Sequence, residues 1–307
     1  MISELYLYAC DLIGDVLSDE RKREGQRVGA YLAGEKISID RVLYQNADVY
    51  EQLAHKLTKA MGEGTDQTRS VEMGNWQDFN QAVAAITSAE KSDNGVLVVG
   101  SHDNLRAWLA GDAVDDVSAV QADTLIRMKP VQPSVISGTW AIQPLTACGD
   151  LPALFPFPFP DGPQQRPRPA YYYTQSAVIP FKKTAQGLRV LVIGSSKRKH
   201  FVVPKGIHEP GLSARDSAAK ESLEEAGVMG PVSERAIGNY TCSKWGAECT
   251  VTVYAQQVNE ILPESQWQER HRGRQWMAPK QAAALVKQPE LGEMIKRLKP
   301  FLREELK

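Results

Sequence analysis

The 307-residue chain carries 36 Lys and Arg against 37 Asp and Glu, with 42% hydrophobic and 24% charged residues. A balance this near neutral excludes a whole-molecule field that gathers nucleic acid or an anionic membrane, and the length suffices for two domains with buried cores. Four cysteines do not make a disulfide framework in such a length, and no stretch reaches the roughly 18 apolar residues of a membrane span. The opening MISELYLYACDLIGD has no basic leader before an apolar run, so a reducing cytoplasm is the expected setting.

In chain order, ELYLYA (4–9) is strand-like. A helix follows, capped by Ser18, with Asp19 and Glu20 in its first turn, Val28, Tyr31 and Leu32 recurring on one face, and Gly34 at its end. RVLY (41–44) and GVLVVG (95–100) read as short buried strands with helical stretches around them. Strands alternating with helices predict an α/β domain with a mostly parallel sheet over residues 1–155.

The stretch LPALFPFPFPDGPQQRPRP (151–169) admits neither a helix nor a central strand, because its prolines remove backbone donors. We take residues 156–170 as a proline-rich linker, with Phe155, Phe157 and Phe159 lying against a domain surface. Beyond it, SAVIPF, LRVLVIG, HFVVP, RAIGNYTC and CTVTVYAQQV are strand candidates interrupted by one helix, and the chain closes in two helices broken at Pro289. Residues 171–307 are expected to form an α+β domain, a mixed sheet between helices.

The interrupting helix holds AAKESLEEAGV (218–228). At 100° per residue, Glu221, Glu224 and Glu225 share one face, while Ala219, Leu223 and Ala226 fall opposite, and Gly227 suits a left-handed terminus. Like charges at this spacing repel unless something compensates them. The preceding VVPKGIHEPG supplies a glycine loop directly after a strand. Strand, loop and glutamate helix together form a place for a hard cation, and Mg²⁺ favours carboxylate and water oxygens and bridges to phosphates. Lys197, Arg198, Lys199 and His200 form a basic turn just before, and Lys205 adjoins Gly206, which suits a highly phosphorylated ligand.

This stretch resembles the Nudix hydrolase family, whose signature is G-x5-E-x7-R-E-U-x-E-E-x-G-U, U being aliphatic. With Gly206 first, Glu221, Glu224, Glu225, Gly227 and Val228 fall in register. Leu212 stands where the first glutamate belongs, Lys220 where arginine belongs, and Ser222 where an aliphatic residue belongs. The first glutamate and the arginine form a supporting ion pair in the family, so their change reads as one altered support behind an intact ligand set. The resemblance implies hydrolysis of a phosphoanhydride, with Mg²⁺ (or Mn²⁺) held by Gly206, Glu221, Glu224 and Glu225, and Glu224 and Glu225 in the chemistry. Glu209, Glu264 and Glu269 are open candidates for a general base. The tail QWQERHRGRQWMAPKQ is similar to the diphosphoinositol polyphosphate phosphohydrolase branch, which adds Arg272 and Arg274 to the phosphate donors and implies inositol pyrophosphates or diadenosine polyphosphates as substrates.

LYLYACDLIGD resembles the opening of SixA-type histidine phosphatases, in the phosphoglycerate mutase superfamily, which run a strand into Arg-His-Gly. Here those positions are Tyr8, Ala9 and Cys10; Ser101 replaces the second histidine, with His102 one later, and YQNADVYEQLA lacks the second arginine. A phosphohistidine mechanism needs its nucleophile and cationic clamps, so a catalytically empty domain is expected, serving stability, dimerisation or regulation. Cys10 is the one conceivable substitute nucleophile, and His102 and Asp103 are candidate lining residues of the old pocket. A homodimer is compatible with this reading. The competing readings are a non-catalytic phosphometabolite binder and a nucleoside triphosphate-sanitising enzyme.

Overall fold

The computed structural model describes residues 4–64, 68–71, 95–110, 117, 118, 120–130, 140–157, 164–197 and 199–305. The chain divides into two compact units, Met1–Pro156 and Phe157–Lys307.

In the first unit, β1 (Leu5–Ala9), β2 (Ile39–Gln45), β3 (Thr68–Val71), β4 (Gly95–Gly100), β5 (Thr124–Pro130) and β6 (Trp140–Ala147) form one sheet in the order β3-β2-β4-β1-β5-β6. β1 to β4 are mutually parallel, whereas β5 runs antiparallel to β1 and β6 antiparallel to β5. The expected parallel sheet therefore has an antiparallel edge. LYLYA and GVLVVG are buried at every residue because helices cover both faces. Tyr6, Tyr8, Leu97 and Val99 meet α1 (Asp19–Gly34) and α2 (Asp48–Met61) on one face. Leu5, Leu7, Val96 and Val98 meet α3 (His102–Ala110) on the other, as the period of two requires. Ser18 caps α1, its hydroxyl accepting the Arg21 N–H at 3.2 Å.

The stretch expected to be a linker is partly folded. β7 (Phe155–Phe157) and β8 (Gln164–Arg166) form a two-stranded ribbon, and the Arg166 guanidinium covers the Phe157 ring at 3.5 Å and the Tyr173 ring at 4.6 Å. Phe155 is buried; Phe159 lies outside the described residues.

In the second unit, β9 (Thr174–Thr184), β10 (Gly187–Gly194), β11 (Phe201–Val202), β12 (Lys205–Ile207), β14 (Gly238–Lys244), β15 (Ala247–Gln257) and β17 (Arg274–Met277) make a mixed sheet. Its path is β11-β10-β9-β15-β14, with β12 added to β9 and β17 to β10; β9 and β15 are parallel and the other pairs antiparallel. β13 (Val228–Met229) and β16 (Glu260–Ile261) pair separately. One face packs against α4 (Ala214–Ala226) through Leu191, Ile193, Val202 and Ala226. The other buries Ala177, Ile179, Val190, Val251 and Val253 under α5 (Pro279–Leu285) and α6 (Pro289–Glu305), which contribute Ala282, Leu291, Met294, Ile295 and Leu298. Each fully buried Leu, Ile or Met on that face contributes roughly 1.5–3 kcal/mol. The terminal helices thus anchor the far side of the sheet and leave α4 to carry the glutamates. Among the described residues no helix is long and apolar enough to cross a membrane.

Candidate active site

The site is built where β12 meets α4. Gly206 pairs with Ser176 of β9, and α4 starts eight residues later, with Ser213 as its cap accepting the Asp216 N–H. Gly227 ends the helix in a left-handed conformation, φ 59°, donating its N–H to Leu223 O. The buried stripe of α4 is Ser217, Ala218, Ser222, Glu225 and Ala226. This corrects the expected division of faces: Glu225 lies on the sheet side, while Ala219 and Leu223 are only partly covered. The physical reason is a polar interface. The Ser222 hydroxyl donates to Gln256 Oε1 of β15 at 2.6 Å, and the Glu225 carboxylate accepts the Lys205 N–H at 3.0 Å.

Gly206 lies against Glu221 so closely that a Cβ there would overlap its carboxylate. Burial, then the charges of Glu225, Glu224 and Glu209, push the Glu221 carboxyl up to about 7. Burial also raises Glu225, against the Lys205 N–H and Arg272, which lower it. Three further carboxylates thus lie near enough to Glu221 for their charges to act on it, as does Lys205. Among the described residues no three His, Cys, Asp or Glu side chains stand grouped as a finished metal cage. The donor set nevertheless fits a hard divalent cation: it is all oxygen, sits beside a glycine that leaves room for nothing larger, and carries mutual repulsion that a cation relieves.

The expected phosphate donors separate into three groups. Lys205 is brought to the glutamates. Lys197 and Lys199 sit exposed on the β10–β11 turn, closed by Ser195 N–H to His200 O at 2.8 Å, and Arg198 lies outside the described residues. Arg272 and Arg274 differ from expectation. The Arg272 side chain is 10% exposed, and its Nη2 donates to Glu225 Oε1 at 2.7 Å while its Nε pairs with Glu269. Arg274 donates to the carbonyls of Gly227 (3.3 Å) and Leu262 (3.0 Å) and stacks over Trp267 at 4.3 Å, so its guanidinium ties down the end of α4 and is spent on carbonyls.

Of the candidate bases, Glu264 is exposed and shows no contact to the glutamates among the described residues, Glu269 is held by Arg272, and Glu209 is 3.3 Å from Lys220 Nζ. Sequence reasoning did not find the Ser222–Gln256 bond or the Glu209–Lys220 pair; a serine at an aliphatic signature position was the one available signal for the former.

In the first unit, Cys10 is fully buried just past β1, and burial pushes its thiol well up, which removes the thiolate a nucleophile needs. Arg21, unnoticed in the sequence, lies near it but is paired with Asp123 (2.6 Å) and Glu24 (2.7 Å). His102 Nε2 is 2.9 Å from Val120 O, and Asp103 is exposed, its carboxylate 3.5 Å from His102 Nδ1.

What fold and site define is a glycine loop and glutamate helix set on a mixed sheet between helices. No known family profile matches the chain. Its relatives are Nudix hydrolases: it is 31% identical to Nudix hydrolase 12, mitochondrial, of Arabidopsis thaliana over 109 residues, 33% of this chain and 53% of that protein. It is 39% identical to Nudix hydrolase 18, mitochondrial, of the same plant over 94 residues, 29% of this chain and 50% of that protein. The chain spans about half the length of these relatives. Among solved structures it is similar to the C. elegans Ap4A hydrolase, at 18% identity and a TM-score of 0.37, over 42% of this chain and 98% of that one.

Proposed function

We propose that the second unit is a divalent-metal-dependent Nudix pyrophosphohydrolase that cleaves a phosphoanhydride in a highly phosphorylated small molecule, of the diadenosine polyphosphate or inositol pyrophosphate type. The observation that carries this is the packing of the Glu221 carboxylate against Gly206, with the Glu225 carboxylate on the same helix held by the neighbouring Lys205 N–H. Gly206, Glu221, Glu224 and Glu225 would hold Mg²⁺ or Mn²⁺, which supplies charge neutralisation and an activated water when bound. Glu225 is oriented by the Lys205 N–H and by Arg272, so its carboxylate is fixed before any ligand arrives. Lys205, with Lys197 and Lys199 on the neighbouring turn, is the donor set for the phosphates. The first unit, in this reading, is a phosphoglycerate mutase-like domain without its chemistry, since Cys10 is buried and protonated and Arg21 is already paired.

A second reading, a phosphometabolite binder without turnover, is favoured by one observation: both Glu225 oxygens already have partners. A panel of diadenosine polyphosphates, inositol pyrophosphates, nucleotide sugars and nucleoside triphosphates, each with Mg²⁺, separates the two. Turnover of any member that disappears in Glu221→Gln and Glu225→Gln supports the enzyme; tight binding without turnover throughout supports the binder. Preference for oxidised nucleoside triphosphates in the same panel identifies a sanitising enzyme.

A further inference from the structure

The geometry points to Glu209 as a positioning residue of the metal site: the acid that the Nudix pattern places at position 212 is supplied here from three residues earlier. Position 212 itself is a leucine, 40% exposed. Its N–H donates to Glu209 O at 3.1 Å and its carbonyl lies 2.8 Å from His208 Nε2, so residues 208–212 close into a tight turn. That turn fastens Glu209 to α4 twice. Its N–H donates to the Ser217 hydroxyl at 3.0 Å, and its carboxylate reaches Lys220 Nζ at 3.3 Å. Ser217, Lys220, Glu221 and Glu224 stand at i, i+3, i+4 and i+7 and so share one stripe of the helix. Lys220 Nζ is also 4.0 Å from Glu224 Oε1. One ammonium thus lies between two carboxylates and adjoins a third in sequence.

A half-exposed pair of this kind adds little to folding. Its effect falls on Glu224: the Lys220 charge, steadied by Glu209, holds that carboxylate in place beside Glu221. A lysine has one point of charge where arginine has a fork, so the support here works through a single contact. The Leu212 and Lys220 departures are then one displaced pair, still made.

This inference rests on the Mg²⁺ site of the proposed function, and the test separates the two. Mg²⁺ alone is titrated calorimetrically into the full chain, and turnover is measured in parallel. Glu209→Gln and Lys220→Met are each expected to weaken Mg²⁺ binding about 10-fold and to lower kcat, with KM for the substrate within about twofold. The double variant is expected to be no worse than either single one, Lys220→Arg to retain wild-type affinity, and Leu212→Ala to change nothing. Wild-type Mg²⁺ affinity in Glu209→Gln overturns the proposal. So does a Glu209→Gln loss that adds to that of Lys220→Met, which would make Glu209 a ligand or base in its own right. If the wild type turns nothing over yet Glu209→Gln weakens Mg²⁺ binding, the hydrolase reading falls and the positioning role stands; turnover with Mg²⁺ affinity indifferent to Glu209 gives the reverse.

Discussion

Gly206 and Glu221 are in direct opposition: the strand residue has no side chain, and the helix residue's carboxylate fills the space where one would stand. The obstruction is the far end of a flexible side chain, so an added methyl can push it aside without unfolding the domain. Gly206→Ala is expected to fold, with a small loss in melting temperature, while Mg²⁺ affinity and turnover fall about 10–100-fold. Calorimetry of Mg²⁺ binding beside a thermal melt checks both halves.

Arg272 and Glu225 form a pair in which both side chains are about nine-tenths buried, at 2.7 Å. Removing one partner leaves an uncompensated buried charge. Arg272→Met is expected to destabilise the protein by about 3 kcal/mol in urea unfolding, and Arg272→Met with Glu225→Gln to recover much of that loss. If Arg272 were instead a free phosphate donor, the single variant would raise KM and leave stability untouched.

Glu221 makes stability depend on pH in a direction opposite to that of an ion-paired carboxylate. Its folded value, about 7, lies above the ordinary 4.5, so between those values the folded chain keeps a proton that the unfolded chain has lost. Its contribution is therefore fully present below about 4.5 and is lost as pH rises through 7. With divalent metal chelated, wild type should gain stability relative to Glu221→Gln as pH falls from 8 to 5.5, measured by paired denaturant titrations.

Cys10, Cys148 and Cys249 are buried, and burial raises the thiol of each, whereas Cys242 is partly exposed. A thiol reagent at pH 8 should modify Cys242 first in the native protein and reach the other three only on unfolding. Cys10→Ser should leave turnover unchanged; a loss of activity there would show that the first unit's thiol takes part in the chemistry.

Much of this site is local in sequence and so was legible there. The glycine loop, the three glutamates and Gly227 all lie within 22 residues, where spacing alone sets geometry. The rest depends on contacts across the sheet. Whether Arg272 and Arg274 face phosphate or protein depends on β17 lying beside β10, and composition near a strand does not reveal it. The sheet-side placement of Glu225 escaped helical periodicity because its burial is achieved with polar partners, Lys205 N–H and Arg272, and periodicity looks for apolar ones. In the first unit, alternating strands and helices identified the sheet, but the antiparallel edge of β5 and β6 carries no signal that distinguishes it from another parallel pair.

The end of α4 is held by residues that come much later in the chain: Leu262 donates to Gly227 O, Trp267 lies beneath it, and Arg274 reaches back to the same carbonyl. The glutamates of α4 are synthesised about 50 residues before Arg274, the last of these. During synthesis the acidic helix is thus a segment of concentrated negative charge without its clasp. A chain cut short between Gly227 and Leu262 would possess all the carboxylates and still lack that clasp.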